Sequence, residues 1–189
     1  MNKERLSTFI DAMIAIIMTI LVLELEKPAE INFWGFWELR NHYFAYALSF
    51  FWLGAMWVNL HNNWYHIKRI NRYIIWAALL MLFSSSLFPY ATSIVSENFN
   101  NGSAQVFYGL IVLMVTASNQ FMYWLIGKEN EKDTVTSTTL TSRNKWAKYD
   151  ILIKILGILL SMTIFPSAMI YAVLFTLVVF VIPNQLKKP

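Results

Sequence analysis

The stretch Arg5–Leu25, RLSTFIDAMIAIIMTILVLEL, decides the fold. It is an apolar helix with an ionisable entrance. Twelve residues separate Asp11 from the next carboxylate, Glu24, and a helix needs about 20 predominantly apolar residues to cross a bilayer. Ile16, Thr19, Ile20 and Leu23 recur at the i, i+3, i+4, i+7 spacing of one helical face. That face is the candidate lining of an ion pathway.

The rest of the chain repeats the pattern. Of its 189 residues 57% are hydrophobic and only 14% charged, which excludes a water-filled exterior. The apolar residues are bunched into six runs, at about 7–25, 43–60, 73–95, 105–126, 147–165 and 167–182. The expected fold is therefore all-α: a polytopic membrane protein with six transmembrane helices, forming a single domain over 1–189. The second run is expected to continue as a helix through Trp64 and His66, and Pro89 is expected to bend the third. A signal peptide is the competing reading of the N-terminus, but Asp11 interrupts the apolar run and no small-x-small cleavage site follows it.

Lysines and arginines set the orientation. Lys3, Arg5, Lys68, Arg69, Arg72, Lys128, Lys132, Arg143, Lys145, Lys148, Lys187 and Lys188 fall on one side, twelve of the fifteen basic residues. Lys27 and Arg40 fall on the other, while Lys154 lies about a turn inside the fifth span, within reach of Asp150. Both termini are expected in the cytoplasm of a multi-pass cell-membrane protein, which requires an even number of spans. The polar stretch Lys128–Lys145 reads as a solvated loop. No internal repeat relates the two halves. Asn101-Gly102-Ser103 matches a glycosylation sequon, a pattern that arises easily by chance.

Missing motifs narrow the function. There is no cysteine, no nucleotide-binding glycine loop, no His-Glu-x-x-His and no Gly-x-Ser-x-Gly, so nucleotide-driven transport and common hydrolase chemistry lack their parts. No enzyme, cofactor or nucleic-acid partner is expected. A Thr-Val-Gly-Tyr-Gly filter and an arginine-studded helix are also absent, which excludes a conventional potassium channel. His61 and His66 are five residues apart, on different helical faces, and no metal site is expected of them. His61 is instead expected to hydrogen-bond with Trp57 or with the polar entrance of the first span.

Asp11 needs a partner, because an aspartate deep in a bilayer costs about 2.5 to 3.5 kcal/mol. It lies roughly 130° from the centre of the Ile16–Leu23 face at 100° per residue, so it is expected to hold the helix to its neighbours rather than line the pathway, the alternative being an entrance residue that simply reaches water. For the face itself, periodicity alone favours lipid contact or helix packing, and the Thr19 hydroxyl can be satisfied on the Ala15 carbonyl. At this point a channel and a transporter both stand.

Arg5, Phe9 and Asp11, followed by Ala15, Ile16 and Thr19, resemble the Arg-x-x-x-Phe-Ser-Asp first-helix signature of the lysosomal potassium channel family, transmembrane protein 175, in its single-repeat prokaryotic form. Tyr46, Ser49, Phe50, Trp57, Asn59 and His61 are similar to the family's second helix, and Pro89 and Thr92 to the end of its third. Ile10 stands where the signature has serine, and Leu60 where the family commonly has the first of two histidines. The resemblance implies a homotetramer in the membrane lipid, its pore lined by the first helix with no re-entrant loop. It places Ile16, Thr19 and Leu23 at the constriction, with Ile20 beside them, and potassium passing transiently at Thr19. Arg5, Phe9, Asp11, Trp57 and His61 would form the network that anchors the helix. The expected function is a potassium-preferring channel for monovalent cations. The alternatives are a secondary transporter or small-solute exporter, and an accessory subunit without transport of its own.

Overall fold

The computed structural model describes residues 2–64, 67–131 and 133–183, and for 134–146 and 180 the backbone. Eight α-helices form among the described residues: α1 (Lys3–Leu23), α2 (Phe33–Glu38), α3 (Arg40–Trp64), α4 (Arg72–Ser86), α5 (Phe88–Glu97), α6 (Gly102–Glu129), α7 (Thr134–Thr163) and α8 (Ala168–Thr176). A π-helical turn, Leu177–Val181, continues α8. Among the described residues, four segments are long and apolar enough to cross a membrane: α1, α3, the α4–α5 pair and α6.

Asparagines set several helix starts. The Asn71 side chain accepts from Ile74 N–H at 3.1 Å, and Asn101 accepts from Ser103 and Ala104 at 2.9 and 3.2 Å. The apparent glycosylation sequon is thus the cap of α6. Pro89 sits in the first turn of α5, where its missing N–H breaks no helical bond, and the third run divides at Leu87 into two helices.

One expectation fails. The stretch Lys128–Lys145 is not mainly loop: α6 runs through Glu129 and α7 begins at Thr134, so the connection shrinks to 130–133. Threonine costs a helix only about 0.7 kcal/mol per residue or less relative to alanine. A helix already nucleated by the apolar residues that follow can extend backwards through such a run without a second nucleation penalty. The expected extension of the second span to His66, and the charges at Lys132, Lys187 and Lys188, lie outside the described residues.

The bundle buries one stripe of α1, formed by Leu6, Ile10, Ile14, Ile17 and Leu21, against α3, α4 and α5. α6 packs against α4 and α5 and also against α7 and α8. Small residues permit that second approach. A Cβ on Gly109 would lie 2.7 Å from Ile158 Cγ1, and one on Gly157 would lie 2.8 Å from Ala172 Cβ. Several polar side chains inside the bundle bond to one another, which offsets the cost of burying them. Thr92 donates to Ser49 at 2.9 Å, Ser49 and Tyr108 are 3.3 Å apart, and Asn63 donates to Tyr123 at 3.3 Å.

Candidate functional site

α1 has two sides of different character. Its buried stripe is closed within the chain, while the opposite side is open: Ile16 is 52% exposed and Leu23 78%, with Thr19 and Ile20 exposed between them. Only 28% of its most apolar stretch is buried in the chain, against 44–56% in the other three candidate spans. Thr19 donates to the carbonyl of Ile16 at 2.7 Å, one residue nearer than the expected Ala15 acceptor. That bond satisfies the hydroxyl hydrogen and leaves oxygen lone pairs on the open side.

Asp11, Trp57 and His61 come together. The Trp57 indole N–H donates to Asp11 Oδ1 at 2.9 Å, tying α1 to α3. His61 lies one turn along α3 with its ring 5.6 Å from the Trp57 ring, a tilted aromatic contact instead of the expected hydrogen bond. Arg5 and Phe9 do not join them. Both are exposed on the open side of α1, and among the described residues no hydrogen bond or ion pair holds Arg5. At 100° per residue they fall within about 30° of the centre of the Ile16–Leu23 face, so helix geometry separates them from Asp11.

The basic end of the bundle is closely tied. Lys3 donates to the Ile67 carbonyl at 2.6 Å, which fastens the start of α1 to the α3–α4 connection. That connection is held in turn to the end of α6: Asn130 bonds both the N–H and the carbonyl of Arg69, Asn71 donates to Glu129 at 2.6 Å, and Lys68 pairs with Asp133 at 2.8 Å.

A second polar cluster lies between α3, α6 and α7. Lys154 is only 1% exposed and pairs with Asp150 at 2.6 Å. It also donates to Thr116 at 3.0 Å and sits 5.1 Å from the centre of the Trp52 ring. Asp150 was legible as an i, i+4 partner. Thr116 and Trp52 come from other helices and had no signal in the sequence. Three ligands suited to a metal do not meet anywhere among the described residues.

Comparison with known proteins bears on this arrangement. Residues 5–89 match the sequence model of the family described as endosomal/lysosomal potassium channel TMEM175. A protein of Chryseobacterium sp. (strain P1-3) named as a potassium channel is 35% identical over 114 residues, covering 60% of this chain and 59% of the relative. Another so named, from Streptomyces collinus, is 28% identical over 133 residues, covering 66% of this chain and 65% of the relative. The matched stretch thus spans less than two thirds of either relative's length. The fold is similar to the crystal structure of a lysosomal potassium-selective channel TMEM175 homologue from Chamaesiphon minutus, with a TM-score of 0.68 and 22% identity over 93% of this chain and 96% of that one.

Proposed function

We propose that this chain, a relative of the TMEM175 channel family, forms a potassium-preferring cation channel in the cell membrane. Four copies surround a central pathway, each supplying α1 as the lining helix. The single observation that carries this reading is the open face of α1, with Ile16, Thr19, Ile20 and Leu23 left uncovered opposite a stripe that is fully buried. An apolar face at the rim of one chain has two uses, lipid contact or contact with further copies. The potassium-channel names of the relatives favour the second.

In this arrangement α7 and the α8 segment complete six crossings, both termini lie in the cytoplasm, and the Lys3–Ile67 tie sits at the cytoplasmic end. Physics divides the labour on the face. Isoleucine and leucine side chains meeting at an axis offer an ion no ligands, so Ile16 and Leu23 close the pathway by contact or by expelling water. A ring of Thr19 hydroxyls presents oxygens to a partly dehydrated potassium ion. Asp11 and Trp57 hold α1 against α3 so that this face keeps its direction.

A second reading, a secondary transporter or small-solute exporter, has one observation in its favour. Buried Lys154 pairs with half-buried Asp150 within the helix bundle, and Asp150 Oδ1 and Asn119 Oδ1 are buried without a hydrogen-bond partner among the described residues. Purified protein in lipid vesicles, under a potassium gradient and then a sodium gradient, separates the readings. The channel passes current down either gradient, with a reversal potential nearer that of potassium, and retains it in Asp150→Asn. Solute-coupled flux that disappears in Asp150→Asn supports the transporter instead.

A further inference from the structure

We infer that α2, with Ile31 just before it, is an interfacial anchor seated in the headgroup layer of the bilayer, at the end of the bundle away from the basic loops. The segment is short, FWGFWE, but firmly built. Asn32 caps it, accepting from Gly35 N–H at 2.8 Å while its own amide donates to Glu30 at 2.8 Å. Gly35 is buried, and a Cβ there would strike the Glu30 carbonyl, so the helix is pressed onto the turn that precedes it. Arg40 donates to the Trp37 carbonyl at 3.2 Å and lies 5.9 Å from the centre of the Trp37 ring. The rings of Phe33 and Trp37 stack at 6.4 Å.

This ordered platform is left bare. Ile31 is 90% exposed and Trp34 70%, and Phe33, Phe36 and Trp37 are exposed beside them. Apolar area of this kind, on an element locked by a cap and a buried glycine, requires a cover.

The placement of other aromatic residues indicates the bilayer surface as that cover. Tyr73, Trp76, Trp124 and Tyr149 are exposed near the basic end, and Lys128 sits 5.7 Å from the centre of the Trp124 ring. Phe165 and Tyr171 are exposed at the α7–α8 corner at the other end, with their rings stacked at 5.9 Å. From Gly102 to Trp124, α6 rises about 33 Å at 1.5 Å per residue, which matches the roughly 30 Å hydrocarbon core of a bilayer. The two groups of aromatic residues therefore bracket a slab of membrane thickness, as aromatic belts do. α2 joins the far end of α1 to the far end of α3 and so lies in the second belt. Its neighbourhood carries Glu24, Glu26, Glu30 and Glu38 against Lys27 and Arg40. This negative balance means that apolar insertion holds the segment, not attraction to anionic lipid, and zwitterionic lipid suffices. The inference is independent of ion conduction, since depth in the bilayer can be read in a protein that conducts nothing.

The chain has no cysteine, so Trp34→Cys and, separately, Phe33→Cys each accept a single bimane fluorophore. In phosphatidylcholine vesicles, a nitroxide near the head of the lipid chain is expected to quench either label roughly twofold more than one near the chain end, the pattern of an interfacial helix. Replacing part of the lipid by an anionic one leaves that ratio unchanged. Strong quenching by aqueous iodide with none by either nitroxide would place α2 in water and overturn the inference. Weak quenching by all three would show that a neighbouring copy covers the platform, and would overturn it equally. The two sites provide independent readings should one substitution disturb the fold.

Discussion

Thr19 is the only side chain among Ile16, Thr19, Ile20 and Leu23 that offers oxygen to an ion. With its hydrogen engaged on the Ile16 carbonyl, the exposed hydroxyl oxygen keeps lone pairs free to accept. Under the channel proposal, Thr19→Ala keeps the helix but removes the hydroxyl ligands. The preference for potassium over sodium should fall severalfold, read as a shift of the reversal potential in mixed salts, while conduction persists. Ile16→Asn should act in the opposite sense on closure: a wettable side chain at the constriction raises the basal leak in the same vesicles. At the other edge of α1, Trp57→Phe removes the indole N–H from Asp11 and keeps the ring. The bond is partly solvated, so the expected loss is about 1 kcal/mol, measured by thermal unfolding in detergent. Asp11→Asn should cost less, because an amide oxygen still accepts from Trp57.

Among the helices, α7 carries the costliest buried group. Lys154 is the buried member of its ion pair, so Asp150→Leu, which leaves that charge unpaired, should destabilise the bundle by about 3–5 kcal/mol. The double variant Lys154→Met/Asp150→Leu should recover most of that loss, and a double-mutant cycle in denaturant would measure the coupling. Elements differ in how far the sequence revealed them. The period of α1 and the break at Pro89 were legible because each is a local property of the chain. The start of α7 was not, since Thr134–Lys145 carries loop composition and takes its helix from the apolar residues after it. The site was legible in the same uneven way. Resemblance grouped Arg5 and Phe9 with Asp11, whereas 100° per residue places them on the other side of the helix, a separation that the wheel alone would have shown. The burial of Lys154 was hidden because Thr116 is 38 residues away in the chain and meets it only through packing.

For the whole molecule, a pathway lined by α1 requires copies of the chain to meet along that helix. One helix per chain cannot enclose a pathway, so the proposed assembly should show a native mass of four 22.1 kDa chains in mild detergent. The most direct measurement introduces a thiol into the cysteine-free chain at the proposed constriction and records potassium current from Ile16→Cys protein in planar bilayers before and after a charged thiol reagent. If α1 lines the pathway, modification changes the current promptly and a bulky reagent blocks it. Potassium current that flows unaltered through fully modified protein would contradict that lining, because the open face of α1 would then lie against lipid.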